Sequence, residues 1–274
     1  MMAVKKGEVL ASAGLRKLIS ADPCQQLLHA VEQVQHLGGH RRLARVLKHT
    51  RKRTDTIGWI HASESSNPCD RIMAARLLGY SLKREEQRDL KLERIFENGH
   101  MMHLRWQNYM VSLPKSFKVL IAPVFRVWPI EGEADAIIEH QEFGRVVVEL
   151  KSIHDYGFKQ LRTAQRPHDD HIGQVATYVA LDGFQATPQV WYEDKNTQEA
   201  CTFCPECAPA MKLSVARHKF EELRQRIIEI AMLVVQGQLP AGCGECGHDE
   251  EIGDIKLDES RITELRQVME KPGA

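Results

Sequence analysis

The segment Val146-Val147-Val148-Glu149-Leu150-Lys151 constrains the fold more than any other part of the chain. Its β-branched residues read as a strand. Alternate side chains of a strand share a face, so Glu149 and Lys151 project together while Val148 and Leu150 project into the opposite layer. The three valines make the surroundings apolar, so an acid and an ammonium sit at one end of a largely buried strand. Gln141 to Gly144 supplies a hairpin turn, and Glu133 to Glu139 reads as the preceding strand. That antiparallel neighbour can place Asp135 beside Glu149. Two carboxylates at one sheet end can hold a hard divalent cation through oxygen. Such an ion polarises a phosphoryl oxygen and lowers the pKa of a bound water. The lysine can orient that water and stabilise developing charge. A surface Glu/Lys pair on an edge strand has the same E-x-K spelling, so context must decide.

The rest of the chain supplies an alternation of helices and strands. Leu27, Leu28, Val31 and Val34 recur at helical spacing, and Gly38-Gly39 breaks the pattern. Ser63 to Asn67 is a polar loop. Helices are predicted over Cys69–Leu78, with Gly79 as the stop, and over Glu85–Val111. Phe117 to Trp128 reads as one strand, followed by the hairpin pair. His171–Leu181 is helical, Gln189–Glu193 a strand, and Ser214–Gln236 a long amphipathic helix; the tail after Gly247 is acidic and then helical. The order implies a mixed α/β core with a helical N-terminal addition. Asp169 or Asp170, within the polar cluster from His168 to His171, is expected to cap the helix that follows. Lys195, after the Trp191-Tyr192 strand, suits either a phosphate contact or a turn.

The formal net charge is zero, so any basic surface is local. Arg41, Arg42, Arg45, Lys48, Arg51, Lys52 and Arg53 form the one dense basic run. It reads either as a phosphate-contacting arm or as a solvated helix face. The apolar run from Ile227 to Val235 is interrupted by Glu229 and too short for a bilayer, so no membrane partner is expected. Without a secretory leader, an odd count of seven cysteines points to reduced thiols or metal ligands, and to the cytoplasm of a bacterial or phage-infected cell. Cys204-Pro205-Glu206-Cys207 and Cys243-Gly244-Glu245-Cys246 are C-x-x-C knuckles of the kind that form tetrahedral zinc corners. A straight helix of about 24 residues between them would hold them roughly 36 Å apart, so one shared ion needs the connecting segments to fold back. Cys201 is a further available ligand, and Cys24 reads as a buried thiol.

Asp135 and Glu149-x-Lys151 occur in order with three other motifs: Ser66-Asn67-Pro68-Cys69, Gly99-x-x-x-His103 and Gln174-x-x-x-Tyr178. Together, over about residues 63 to 200, they resemble the PD-(D/E)xK nuclease superfamily in its RecB-like branch. That branch includes bacteriophage and CRISPR-associated exonucleases. Ala134 stands where the name motif has proline. The resemblance implies a restriction-endonuclease-like mixed sheet flanked by helices. The nuclease core would run from 61 to 247, between a basic helical extension (1–60) and a tail (248–274). It implies that His103, Asp135, Glu149 and the Leu150 carbonyl bind magnesium or manganese, and that Lys151 is the catalytic lysine. Gln174 and Tyr178 would line the cleft, although Tyr178 also suits core packing and His100 rivals His103. It also offers an iron–sulfur cluster, using Cys69 with Cys243 and Cys246, as the alternative to zinc; the branch's last cysteine is absent, with His248 nearby. The implied activity is DNA hydrolysis, first as an exonuclease in recombination, repair or phage DNA processing, alongside recombination or replication proteins. A structure-selective or site-directed endonuclease and a non-enzymatic DNA-binding module are the alternatives.

Overall fold

A computed structural model describes residues 23–36, 56–64, 69–80, 90–244, 255 and 257–271. The basic run from Arg41 to Arg53, the Ser66-Asn67-Pro68 entry, Cys246 and His248 lie outside the described residues.

The valine-rich segment is the centre of the molecule. It forms β6 (Gly144–Ile153), which pairs antiparallel with β5 (Ala136–His140) and parallel with β7 (Thr187–Asp194). Gly144 closes the β5–β6 hairpin at φ +70, a left-handed conformation that glycine adopts without a Cβ penalty. β2 (Lys118–Ile121) joins the far side of β5, and β8 (Ala200–Phe203) joins β7, giving a five-stranded sheet in the order β2-β5-β6-β7-β8. A parallel pair needs a long crossover. Here it contains α4 (Asp155–Ala164) and α5 (Asp169–Leu181), introduced in chain order after α1 (Pro23–His36), α2 (Asp70–Leu77) and α3 (Leu90–Val111).

The alternation along β6 divides the core in two. Val146, Val148 and Leu150 pack with Ala136, Ile138 and Trp191 against α1 and α3, through Leu27, Leu28, Val31, Met102 and Trp106. Val147 faces the other way with Ile137, Val190 and Tyr192, against α5, α6 (Leu213–Val235) and α7 (Glu259–Glu270). In α6, Phe220, Leu223, Ile227, Ile230 and Val234 recur every three or four residues and are buried, the stripe that a one-sided helix requires. Asp169 and Asp170 lie in the first turn of α5, where negative charge is favoured. They do not cap it as the sequence suggested: His168 occupies the cap position and makes no side-chain cap bond. A bidentate pair, Arg145 Nε to Asp182 Oδ2 at 2.8 Å and Nη2 to Oδ1 at 2.6 Å, ties the start of β6 to the end of α5.

The expected single strand over Phe117–Trp128 is two strands in different sheets. After β2 the chain turns at Ala122, with φ 50, and Pro123, and continues as β3 (Val124–Val127). β3 pairs antiparallel with β4 (Ile130–Glu133), which pairs in parallel with β1 (Ile60–His61) to make a three-stranded sheet. The expected strand at Glu133–Glu139 is likewise cut at Ala134-Asp135, where the chain passes from one sheet to the other. Ala122 N–H to Asp135 O, at 3.2 Å, and Ala134 N–H to Pro123 O, at 3.2 Å, hold this crossing. The result is a mixed α/β fold with two mixed sheets flanked by helices. Among the described residues, no helix is long and apolar enough to cross a membrane.

Gly132 sets how closely β4 approaches α5. A Cβ there would stand 2.7 Å from both Tyr178 Cε1 and Ala62 Cβ. Gly132→Ala is therefore expected to destabilise the fold by about 1–3 kcal/mol through overpacking. A lower denaturation midpoint at constant m would show it.

Candidate active site

β5 ends at Ala136, opposite Val148, so β6 runs on past its antiparallel partner. The next N–H on that edge, at Leu150, needs an acceptor, because an unpaired buried donor costs about 1–3 kcal/mol. Asp135 provides it: Oδ2 accepts the Leu150 N–H at 2.7 Å. The other oxygen, Oδ1, meets His103 Nδ1 at 2.7 Å, and Gln107 Nε2 donates to the Asp135 carbonyl at 3.1 Å. Asp135 thus joins β6 to α3 at the seam between the two sheets.

On the opposite face of β6, Lys151 Nζ meets Glu149 Oε1 at 2.8 Å and donates to Gln174 Oε1 at 2.8 Å. Gln174 Nε2 donates to the Tyr178 hydroxyl at 3.0 Å. Gln174 and Tyr178 are four residues apart on α5 and so face the same way. Tyr178 is a core residue, and its hydroxyl end closes this chain of contacts. His103 stands at Asp135, and His100, its rival on α3, is exposed one turn away.

Burial opposes every charge in this cluster, and the neighbours decide the outcome. Burial alone would pull the His103 imidazole down, but the Asp135 carboxylate outweighs it and the group lies above its ordinary value. Burial would raise Asp135, yet His103 and the Leu150 N–H hold it below the usual carboxylate range. Burial would lower Lys151, and Glu149 keeps it raised. Glu149 is the exception. It is 3% exposed, and burial, aided by the Asp135 charge, prevails over Lys151 and pushes it up to about 7.

The donors of the cluster are oxygen-rich: two carboxylates, one imidazole and the strand edge at Leu150. That chemistry suits a hard divalent cation such as magnesium or manganese. Among the described residues, no three His, Cys, Asp or Glu side chains stand grouped for a metal.

A cavity of ≈ 540 Å³ opens over Asp135, Glu149, Lys151, Gln174 and Tyr178. Its wall adds His61, Arg126, Glu131 and Glu133, which the sequence reading did not single out. Glu133 carries a local signal, two residues before Asp135. Arg126 and Glu131 do not, because only the β3–β4 register sets them opposite each other, with Nε–Oε2 at 3.0 Å. A second cavity, of ≈ 930 Å³, shares His103 and Lys151 and reaches His100, Leu150 and Lys195. Beside Lys151 in register, Tyr192 fixes a further group: its hydroxyl accepts the His168 N–H at 3.2 Å and meets His171 Nδ1 at 2.7 Å. Burial and then the Lys151 ammonium push His171 down to about 4, so it is neutral at physiological pH.

Of the four cysteines in the zinc reading, Cys204 and Cys207 lie before α6, Cys243 lies after it, and Cys246 is outside the described residues. α6 runs unbroken for 23 residues, about 34 Å, between the segment carrying Cys204 and Cys207 and the one carrying Cys243. No described group of three ligands gathers them. Cys204 Sγ donates to Glu206 at 2.6 Å, Cys207 Sγ to the Cys204 carbonyl at 3.4 Å, and burial pushes the Cys201 thiol up to about 12. Cys69, the iron–sulfur alternative's first ligand, is buried beside Ile72 in a small separate cluster.

No family model and no curated protein sequence matches this chain. Among solved structures, it is similar to SSO0001 at 16% identity and TM-score 0.38, covering 72% of this chain and 86% of that one. It is also similar to an alkaline exonuclease, LHK-Exo, from Laribacter hongkongensis at 12% identity and TM-score 0.39, covering 66% and 95%. The complex of LHK-Exo with dAMP gives 12% identity and TM-score 0.44, covering 64% and 89%.

The displaced Glu149 titration has a sign that can be measured. A carboxyl whose folded pKa lies above its unfolded value favours the fold while protonated. Its contribution is complete below about 4.5 and is lost as pH rises towards about 7. In metal-free protein, Glu149→Gln should therefore raise Tm at pH 8 and lose that advantage near pH 4.5. Manganese or magnesium at about 100-fold its Kd should add about 2.7 kcal/mol to the wild-type protein. Glu149→Gln should gain less, read by thermal denaturation with and without chelator.

Proposed function

We propose that this chain is a metal-dependent nuclease that hydrolyses the phosphodiester bonds of DNA, with exonucleolytic removal of nucleotides as its mode. The observation that carries this reading is the joining of Asp135, Glu149 and Lys151 at the ends of β5 and β6, with Lys151 held by Gln174. A buried network of this kind is more than an edge-strand ion pair. Lys151 is gripped on two sides and leaves its third donor available to a ligand in the cavity. The exonuclease mode and the choice of DNA rest on the motif resemblance to the RecB-like branch.

In this reading Asp135 and Glu149 hold the cation, with His103 and the Leu150 carbonyl beside them. A bound cation would polarise a phosphoryl oxygen and lower the pKa of a water. Lys151 directs its ammonium to the attacking water and to charge building on the phosphoryl group. Gln174 and Tyr178 fix the direction of that ammonium, so less reorganisation remains when charge develops. Lys195, at the rim of the larger cavity, contacts a flanking phosphate.

Asp135→Ala and Glu149→Ala should abolish cleavage of end-labelled linear DNA and leave DNA binding largely intact, because ligation is lost rather than docking. Lys151→Ala should lower kcat by about 10²–10³-fold with little change in metal affinity. Chelator should stop turnover, and closed circular DNA should remain uncut. Full turnover by Glu149→Ala would remove the nuclease reading, and nicking of closed circles would replace the exonuclease mode with an endonuclease.

A further inference from the structure

We propose that Arg126 holds a second phosphate of the substrate, an internal diester beside the one being cut, and so fixes the register of the strand at the reaction centre. The inference rests on the nuclease reading and adds to it a substrate contact from the three-stranded sheet.

Arg126 is set in place before any ligand arrives. The β3–β4 register puts it opposite Glu131, and its Nε meets Glu131 Oε2 at 3.0 Å. Its guanidinium lies over the Trp59 ring, 4.3 Å from the centroid. The side chain is nevertheless 49% exposed. A guanidinium carries five N–H donors, and one carboxylate accepts two of them in a side-on pair. Donors therefore remain on a fork whose plane the tryptophan and the carboxylate already hold. Such a fork matches phosphate geometry, and its prior ordering lowers the cost of binding.

Placement selects the phosphate. Arg126 lines the ≈ 540 Å³ cavity that opens over Asp135, Glu149 and Lys151, and among the described residues it is the only lysine or arginine in that lining besides Lys151. It also lines a neighbouring cavity of ≈ 550 Å³, with Trp59 and the last turns of α7. A phosphate at Arg126 thus stands apart from the reacting one, with room for the strand to continue past it.

Charge narrows the choice further. Glu131 offsets part of the guanidinium charge, and Glu133 shares the same wall. A terminal phosphate monoester carries about −1.5 to −2 at neutral pH, more than this wall can balance. An internal diester carries a single charge, which one partly offset guanidinium suits.

The test uses end-labelled linear DNA in which one linkage at a time is an uncharged methylphosphonate, each strand made with and without a terminal phosphate. Release of the terminal nucleotide is followed in magnesium or manganese, and kcat and KM are separated. For wild-type protein, neutralising one linkage beside the scissile one should raise KM about tenfold, the worth of a charge-assisted hydrogen-bonded contact. Arg126→Gln should raise KM by that factor on natural DNA, with the loss falling on KM rather than kcat, and the same methylphosphonate should then cost nothing more. The variant should also flatten the slope of log KM against log salt by about one. Arg126→Lys keeps the charge without the fork and should fall between the two. It serves as the second variant if Arg126→Gln melts below the wild type. Methylphosphonate losses that simply add to those of both variants would overturn the proposal, as would coupling of Arg126 to the terminal phosphate instead of a diester. Cleavage without any coupling would overturn only this inference. Absence of cleavage by wild-type protein with any divalent ion would overturn the nuclease reading and this inference with it.

Discussion

The Asp135 carboxylate holds the site together. It sits where the chain leaves one sheet for the other, and its two oxygens have different tasks. One accepts the Leu150 N–H that β5 no longer reaches, and the other fixes His103 on α3. The first bond satisfies a backbone donor at the edge of the central strand; the second sets the position of a helix relative to that strand. Removing that side chain would leave the Leu150 N–H, between Glu149 and Lys151, without its acceptor. Structure and chemistry therefore meet in one residue, and an isosteric amide at position 135 would preserve far less than its shape suggests.

Much of this was legible in the sequence, for a reason tied to periodicity. The valines of β6 fixed which face was apolar, and the period of two then placed Glu149 and Lys151 together. The period of 3.6 did the same for Gln174 and Tyr178. The family resemblance favoured His103 over His100, and His103 is the one in contact with Asp135. What could not be read is what depends on long-range register. Arg126 and Glu131 face each other only because the segment after β2 turns at Ala122 and enters a second sheet, and a run of β-branched and aromatic residues does not announce such a turn. Glu133 and Asp135 looked like one strand, because a two-residue passage between sheets leaves no composition signal. The paired knuckles show the same limit of local spacing: a four-thiolate site needs two remote segments to converge, and the fourth cysteine, Cys246, lies outside the described residues. The basic run, the Ser66-Asn67-Pro68 entry and Cys246 fall outside the described residues.

The electrostatics of the cluster explain why its parts are tied so tightly. Two carboxylates, one ammonium and the His103 imidazole share a buried region where each charge has lost its water. Lys151 compensates Glu149 only in part, and Glu149 keeps a raised affinity for protons. Such a group is poorly satisfied by the protein alone, which is the condition under which an incoming cation is bound strongly. The same imbalance makes the resting site costly to the fold. Large buried residues stand directly behind it, with Trp191 on one face of the sheet and Tyr192 and Tyr178 on the other.

Lys151 also divides the surface into two unlike cavities, and this asymmetry constrains how a polymer can lie across the site. On the side of Arg126, Glu131 and Glu133 the wall is polar, with carboxylates that repel a phosphate unless cations or Arg126 intervene. On the side of Phe96, Met101 and Lys195 it is apolar with positive charge at the rim. Under the proposed nuclease reading, a strand crossing both would meet opposite preferences on the two sides of Lys151. Polarity would then be set by differential contact before any chemistry occurs. The side chains of the two walls lie on α3, β3 and β4, while Glu149 and Lys151 stand on β6 and Asp135 just before β5. Changes to either wall can therefore alter which end is accepted without moving Asp135, Glu149 or Lys151.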